Sequence, residues 1–338
     1  MKKLFLILLT IVTVFISYQN FRNKRNQKNT LEKNYHLVIY SPHPLSFIEP
    51  LINRFEIKEE VNVKIVSKGS LELLKLIKEN KNSVDIMWGG SLSILSGGKN
   101  YFKKYISKNE EYILEKYRNI DGKITRFTAI PSILMINKNL IGNIKIEGFE
   151  DLLNPKLKGK IAMANPETSS SSFEHLINQL YAMGGNNNKG WDYIRKLIKN
   201  MNGEILNRSS DVYKGVVEGK YIIGCTFEEI GARYLENGAP IKIVYPKEGT
   251  AIIPDGVAII KNSKNIEVAK KFIDFLTSKE IQEFISTDLN RRSIRKDVKN
   301  INLKSESNIK IISYNLDEVL KNKQNILNRY NKILLENR

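Results

Sequence analysis

Short apolar strands that lead directly into helices recur along the first third of this chain. The segment HLVIY at 36–40 precedes a helical pattern at about 45–55, and VNVKIVS at 61–67 precedes the run LELLKLIKEN. A third apolar segment, at 84–87, ends in WGGS and is followed by another helical pattern. This alternation is typical of βαβ units, in which helices cover a sheet of neighbouring strands. The sequence therefore predicts an α/β protein with a mainly parallel sheet.

Two long extended segments divide the chain. FTAIPSILMIN at 127–137 is interrupted by Pro131, and TAIIPDGVAII at 250–260 is interrupted by Pro254. The residues between them repeat the strand–helix order, as a second α/β unit would. We interpret both segments as strands that cross between two lobes. The expected organisation is lobe 1 over 36–130 and 256–310, lobe 2 over 131–255, and a C-terminal helical extension over 311–338.

Further helices are predicted towards the C-terminus. IEVAKKFIDFLTS and KEIQEFIST, within about 264–290, each repeat apolar residues at helical spacing. A last helix is predicted at about 316–336, and we expect it to pack on the surface.

The N-terminus carries a pattern of its own. Residues 1–30 contain six basic residues and no acidic residue, and two lysines precede an apolar run at 4–16. A charged start followed by an apolar run is typical of an export signal. We expect residues 1–21 to be a signal peptide or signal anchor, followed by a polar linker over 22–35. Because no small-x-small cleavage motif is convincing, we prefer an anchor. The body then lies outside the cytoplasmic membrane, periplasmic or at the cell surface, tethered by residues 4–21.

The chain is strongly basic, with 54 basic and 36 acidic residues and a net charge of +18. Such a balance can indicate a nucleic acid, a membrane surface or an anionic ligand as partner. The lysines are dispersed among many asparagines and isoleucines, and no nucleic-acid-binding motif occurs. We therefore attribute most of the excess to compositional bias and expect no nucleic-acid partner.

A serine-rich turn leads into a helix near the middle of the chain. In KIAMANPETSSSSFEHL a short strand is followed by Asn165 and then by the run that begins Ser169, Ser170, Ser171. The first turn of a helix has free N–H groups and partial positive charge, so hydroxyls there can complete an anion site. The alternative is an ordinary N-cap with surplus serines.

Three other loops at predicted strand ends carry hydrogen-bond donors. In open α/β sheets, ligands bind beyond the carboxyl ends of strands, where loops lead into helices. Ser41 and His43 lie in the loop SPHP, Ser70 follows a glycine before a helix, and Gly90 and Ser91 follow the third strand. The first two loops also fit a plain prolyl turn and a plain N-cap. The third exposes backbone N–H groups, but it lacks the lysine and the spacing of a nucleotide P-loop.

Acidic groups occupy the remaining predicted strand ends. Ser210 and Asp211 follow the strand GEILN, Glu228 and Glu229 follow YIIGCTF, and Asp255 lies in the second crossing segment. Carboxylates accept hydrogen bonds from ligand hydroxyls. Asp211 could equally cap its helix, and the two glutamates could act as acid and base or only start a helix. Acidic groups opposite serine-rich turns suggest a small molecule that carries both phosphoryl and hydroxyl groups.

The sequence contains little that indicates a catalytic site. The sequence has no G-x-S-x-G, and its three histidines, His36, His43 and His175, lack zinc-binding spacing. The single cysteine, Cys225, has no sequence partner that would activate it and no second cysteine for a disulfide. We therefore expect no enzymatic activity, no cofactor and no metal site.

Five segments together resemble a known family. IYSPHPLSF, WGGS, LLNPKLKGKIAMANPETSSSS, GCTFEE and IPDGVAII occur in the order seen in type II extracellular solute-binding proteins of ABC importers. The resemblance covers about residues 36–300 and is strongest to the ferric-ion, phosphonate and hexose-phosphate branch. It implies a two-lobed periplasmic-binding-protein type II fold, with two hinge-crossing strands and lobes that close on the ligand.

The resemblance also bears on the ligand. Iron-binding relatives carry an adjacent tyrosine pair, whereas the equivalent stretch at 226–229 reads TFEE, so iron is disfavoured. The chain looks more like the hexose-phosphate binders. By that resemblance the phosphate would be held by Ser41, His43, Gly90, Ser91, Ser170 and Ser171, and the sugar by Ser210, Asp211, Glu229 and Asp255.

The resemblance leaves two kinds of partner open. Most relatives deliver their ligand to an ABC permease, and we expect this chain to bring it a sugar phosphate or a phosphonate. Some relatives look instead like sensors that report sugar phosphate to a membrane histidine kinase. In either case we expect a monomer that reaches the membrane through its N-terminal segment.

Overall fold

A computed structural model describes residues 36–79, 83–301 and 303–337. The predicted signal and linker at 1–35 lie outside the described residues. The chain begins with the expected alternation of strands and helices: β1 (Leu37–Ser41), α1 (Leu45–Glu59), β2 (Val63–Ser67), α2 (Ser70–Glu79), β3 (Ile86–Ser91) and α3 (Leu92–Ser96). β1 pairs in parallel with both β2 and β3, so the carboxyl ends of these strands share one edge.

The middle of the chain repeats this order after a long strand. The elements are β4 (Thr125–Asn137), β5 (Ile161–Ala162), α4 (Ser170–Ala182), α5 (Asn188–Asn200), α6 (Ser209–Val217), β6 (Ile223–Phe227), α7 (Glu228–Glu236) and β7 (Ile241–Val244). Because α4, α6 and α7 each follow a strand or an extended segment, their N-termini are brought to one side of the sheet.

The chain then returns to the first lobe and ends in helices. These elements are β8 (Ile252–Ile259), α8 (Ile266–Thr277), α9 (Lys279–Thr287), β9 (Arg292–Ser293), α10 (Leu316–Lys321) and α11 (Lys323–Leu335). The helix pair predicted at 264–290 is confirmed as α8 and α9. Among the helices of the described ranges, none has the length and apolar character needed to cross a membrane.

The two crossing segments are confirmed as strands. The first half of β4 pairs with β8, and its second half pairs with β6 and β7, so β4 passes from the first lobe into the second. The lobe boundaries at 130 and 255 remain a prediction.

The mainly parallel sheet was a wrong prediction. Over the described residues the strand order is β2-β1-β3-β8-β4-β6-β5, with β7 and β9 also paired to β4. Every pair that β4 and β8 make is antiparallel. The two crossing strands therefore convert a parallel α/β pattern into a mixed sheet.

Each lobe has its own hydrophobic core. One cluster contains Phe47, Trp88 and Phe127, and the other contains Leu134 and Trp191. β4 contributes to both, because Phe127 lies in its first half and Leu134 in its second. In place of the single last helix predicted at about 316–336, the structure has α10 and α11. The apolar face of α11 is part of the second cluster, through Ile326, Leu327, Tyr330, Ile333 and Leu334.

Candidate functional site

A cavity of about 310 Å³ lies between the two lobes, at the ends of β1, β3 and β6. Its volume falls at the lower end of the roughly 300–1,000 Å³ typical of small-molecule sites. This is the edge of the sheet at which the sequence places the candidate binding loops. A second cavity of about 420 Å³ adjoins it, and Arg208 and Ser169 are among the residues that line this second cavity.

One side of the cavity is lined by hydroxyl groups, and we call Ser70, Ser91, Ser170 and Ser171 the serine wall. Ser70 is the first residue of α2 and Ser170 is the first residue of α4, and their Oγ atoms lie 2.9 Å apart. The N-termini of helices from two lobes therefore meet at one point. Free N–H groups and the positive ends of both helix dipoles converge there, which favours an anion.

The four successive serines at 169–172 have two different roles, helix capping and cavity lining. Ser169 is the N-cap of α4: its Oγ accepts hydrogen bonds from the N–H of Ser172 at 3.3 Å and from the Ser172 hydroxyl at 3.1 Å. Ser170 and Ser171 instead line the cavity. Helix capping and cavity lining thus occur side by side in one turn.

Two glycines at the end of β3 permit close packing at the cavity. Gly89 and Gly90 have φ values of +106° and +92°, which residues other than glycine rarely adopt. A Cβ atom on Gly89 would lie 2.5 Å from Nε2 of His43. The glycine therefore lets the imidazole lie against the strand end, and Gly90 itself lines the cavity.

Charged and titratable groups also line the cavity, and we call His43, Glu229, Asp255 and Arg291 the arginine wall. Nη1 of Arg291 donates to Oδ2 of Asp255 at 2.8 Å, and its Nε contacts Oε2 of Glu229. Nε2 of His43 lies 3.2 Å from the same Asp255 oxygen. The guanidinium stands over the ring of Phe47, 4.1 Å from its centre.

Burial affects the protonation of His43 and Arg291 in the arginine wall. It lowers the pKa of His43 well below the ordinary value, and the nearby charge of Arg291 lowers it further. The imidazole is therefore neutral at neutral pH and can both donate and accept. Burial also lowers the pKa of Arg291, to about 9, which leaves the guanidinium protonated at neutral pH.

A third carboxyl group, Glu174, connects the lobes beside the serine wall. The Oγ of Ser93, on α3, donates to Oε1 of Glu174, on α4, at 2.5 Å, and Ser93 bonds in turn to Ser91. The hydroxyl of Tyr314 donates to the other oxygen of Glu174 at 3.4 Å. Burial raises the pKa of this carboxyl. The next residue, His175, also lines the cavity, and its Nδ1 lies 2.7 Å from Oγ of Ser132.

Five predicted site residues lie away from the cavity. Ser41 is buried beneath the loop and accepts the His43 N–H at 3.3 Å, while Oδ1 of Asn165 accepts the Glu167 N–H at 2.9 Å in a local turn. Asp211 is exposed on the first turn of α6. The other two are Ser169, the N-cap, and Glu228, which binds Arg292. The predicted residues that line the cavity are His43, Ser70, Gly90, Ser91, Ser170, Ser171, Ser210, Glu229 and Asp255.

Several cavity residues were missed from the sequence. Arg291 lies in the loop between α9 and β9, so a search restricted to loops that follow strands passes it by. Glu174 stands four residues after Ser170, on the same face of α4, and this helical spacing could have identified it. The cavity is also lined by Ser209, directly before the predicted residue Ser210, and by Tyr213 on the same helix.

Over the described ranges, no three His, Cys, Asp or Glu side chains are placed to hold a metal ion. Cys225 is buried, and burial raises the pKa of its thiol to about 12.

Comparison with known proteins agrees with this architecture. A solved structure described as a two-component system protein that mediates signal transduction is 30% identical, with a TM-score of 0.73, over 84% of this chain and 98% of that one. The ferric binding protein from Campylobacter jejuni is 26% identical, with a TM-score of 0.75, over 88% of this chain and 99% of that one. The periplasmic binding protein AfuA from Actinobacillus pleuropneumoniae, with fructose-6-phosphate bound, is 24% identical and similar in fold, with a TM-score of 0.80, over 89% of this chain and 99% of that one.

The family is identified by a sequence match that covers most of the chain. Residues 97–322, about two thirds of the chain, match the profile of the bacterial extracellular solute-binding proteins. The match includes the serine wall residues of α4, both crossing strands and the arginine wall residues of α7 and the β9 loop. The chain therefore belongs to the bacterial extracellular solute-binding proteins.

Proposed function

We propose that this protein captures a small phosphorylated organic anion, a sugar phosphate or a phosphonate, in the cavity between its lobes. The observation that carries the proposal is the contact of Ser70 with Ser170, which brings together helix N-termini from both lobes. An anion held there would receive hydrogen bonds from both helices, and so would favour the closed arrangement over an open one.

The two walls suit the two parts of such a ligand. The serine wall and Gly90 offer neutral O–H and N–H donors, which match the acceptor oxygens of a phosphoryl group. In the arginine wall, Glu229 and Asp255 offer carboxyl oxygens, which match donor hydroxyls. These two sets of groups support a ligand that carries both a phosphoryl group and hydroxyl groups.

A ferric ion fits these residues less well. Glu228 is bound by both Nε and Nη2 of Arg292, and Glu229 is in contact with Arg291. Each guanidinium already offsets one carboxylate charge, and removing a carboxylate from its buried partner is costly. These two glutamates therefore support an organic anion over a bare metal ion.

The role that we propose first is transport, since the family consists of extracellular binding proteins. The protein would act as a monomer outside the cytoplasmic membrane and deliver its ligand to an ABC permease. A second candidate is a membrane-anchored sensor that reports sugar phosphate to a histidine kinase. That candidate is favoured by the 30% identity to a protein described as part of a two-component system.

The ligand class is tested by calorimetric titration of the purified protein. We expect heat of binding with glucose 6-phosphate or with methylphosphonate, and weaker or no binding of inorganic phosphate. Tight binding of Fe³⁺ without a response to any phosphoryl compound would overturn the proposal. The double variant S170A/S171A should lose affinity, whereas S305A, an exposed serine outside the cavity, should bind as wild type does.

Transport and sensing are separated in cells. Deleting the gene should abolish uptake of labelled sugar phosphate if the protein serves an importer. If it is a sensor, uptake by an independently expressed permease should survive the deletion, while transcriptional induction by external sugar phosphate should be lost.

A further inference from the structure

Two neighbouring ion pairs join the same two elements. Arg292 is the first residue of β9 and Arg291 directly precedes it, while Glu228 and Glu229 are the first two residues of α7. Arg292 pairs with Glu228, and Arg291 pairs with Glu229. The two pairs therefore have the same chemistry and nearly the same place in the fold, but they differ in their surroundings.

The Arg292 pair is a complete structural contact. Its Nε and Nη2 donate to the two oxygens of Glu228 at 2.8 and 2.6 Å, and Nη2 also donates to the Lys304 carbonyl at 2.6 Å. The Tyr245 hydroxyl adds a further hydrogen bond to Glu228. Arg292 is 1% exposed and lies outside the cavity lining. A bidentate buried pair of this kind fixes the relative position of two elements.

The Arg291 pair faces the cavity. Its Nε contacts Oε2 of Glu229, its Nη1 donates to Oδ2 of Asp255, and Nε2 of His43 lies 3.2 Å from the same Asp255 oxygen. Unlike the Arg292 pair, this cluster therefore lies where the hydroxyl groups of a bound ligand can reach its carboxyl oxygens.

We infer that Arg291 is a positioning residue that sets the specificity of the proposed site for ligands with hydroxyl groups. Through Nη1 and Nε it contacts Asp255 on β8 and Glu229 on α7, and so holds acceptors from two elements at one side of the cavity. The ring of Phe47 beneath the guanidinium fixes its plane. The inference rests on the proposed function, and it concerns the hydroxyl groups of the ligand, since the serine wall offers the donors for its phosphoryl group.

The arginine's geometry matters more than its charge in this role. A planar guanidinium directs several N–H groups along fixed lines, whereas a lysine offers one compact charge on a flexible chain. R291K would keep the positive charge but could not hold Glu229 and Asp255 together. The loss should therefore appear in the choice between ligands, not only in overall affinity.

The test compares two ligands by calorimetric titration of the full chain. Glucose 6-phosphate carries hydroxyl groups, and ethyl phosphate carries the same phosphoryl group without them; the weaker ligand is measured by competition. We expect R291K to lower the affinity for glucose 6-phosphate about tenfold or more, and to change the affinity for ethyl phosphate little. The matched control is R292K, which should lower the unfolding midpoint and leave the ratio of the two affinities unchanged.

A second variant covers the case in which R291K does not fold. E229Q keeps the shape of the side chain but removes its charge, and it should show the same selective loss. Equal losses for both ligands, or no loss, in the folded variants would overturn the role of Arg291. Wild-type protein that binds neither phosphoryl compound would overturn the proposed function itself, which distinguishes the two failures.

Discussion

Gly89 is the residue on which the position of His43 depends. A Cβ atom there would lie 2.5 Å from Nε2 of His43, and the backbone φ of +106° is strained for any other residue. We expect G89A to lower the free energy of unfolding by about 1–3 kcal/mol and to weaken ligand binding, because the imidazole must move. Denaturant unfolding and calorimetric titration measure the two effects.

A suitable control for this variant is G142A. Gly142 also has a positive φ, of +53°, but no heavy atom lies within 4 Å of its Cβ position. This variant should cost about 1 kcal/mol of stability from backbone strain and leave binding unchanged. Unaltered binding in G89A would show that the imidazole is not held in place by the glycine.

The serine run offers a second residue-level prediction, since neighbouring hydroxyls have separate tasks. S169A removes the N-cap of α4 and should cost about 0.5–2 kcal/mol of stability. S170A removes a cavity hydroxyl and should weaken ligand binding while unfolding almost as wild type does. Urea unfolding and calorimetric titration of both variants check this, and equal stability losses in the two would contradict the division of tasks.

From the sequence, residues were placed at the cavity only where a local rule applied. His43, Ser70 and Gly90 were found because loops after parallel strands must meet at one edge of the sheet. Arg291 could not be found in this way, since its loop follows a helix and reaches the cavity through the tertiary fold. Glu228 and Glu229 have the same local pattern, so only the structure separates the buried structural pair from the cavity-facing one.

At the level of elements, α11 contributes its apolar face to the core of the second lobe. Ile333 is 1% exposed in the core of the second lobe, whereas Leu335, two residues later, is 71% exposed. We expect I333A to lower the free energy of unfolding by about 2–5 kcal/mol, because it leaves a cavity in that core. L335A should stay within about 0.5 kcal/mol of wild type. Chemical denaturation measures both, and similar stabilities would place the helix outside the core.

Element order was easier to predict than strand direction. The alternation of apolar strands and helices identified most elements, and the proline-interrupted segments identified β4 and β8 as crossings. β4 and β8 are almost entirely buried and read as nearly continuous apolar runs, a pattern typical of parallel strands, so their sequence did not reveal their antiparallel pairing. The mixed sheet follows from where β4 and β8 run between the lobes, which is a property of the whole topology.

For the whole molecule, the contacts between lobes combine neutral and charged groups. Ser70 with Ser170 and Ser93 with Glu174 join the lobes at the serine wall, and the two arginine–glutamate pairs join α7 to the start of β9 and the residue before it. Several of these groups titrate when exposed and are buried here. Stability should therefore depend on pH, and the direction follows from which form each buried group prefers.

His175 provides the clearest case. Burial lowers the pKa of its imidazole from 6.5 to about 3, so the folded protein keeps it neutral. Between these two pH values the unfolded chain binds a proton that the folded protein does not, and stability must fall as the pH decreases below 6.5. The loss is about 1.4 kcal/mol for each pH unit in this range. His43 acts in the same direction, since burial and Arg291 lower its pKa as well.

Glu174 acts in the opposite direction and must be separated from the histidines. Burial raises its pKa, so the folded protein binds a proton more readily than the unfolded chain does, and this contribution to stability grows as the pH falls towards 4.5. The difference in unfolding free energy between wild type and H175N isolates the histidine, because Glu174 is present in both. We expect this difference to shrink by about 2.7 kcal/mol in urea unfolding between pH 7.5 and pH 4.5. Parallel pH profiles for the two proteins would show that the imidazole of His175 is not held neutral by burial.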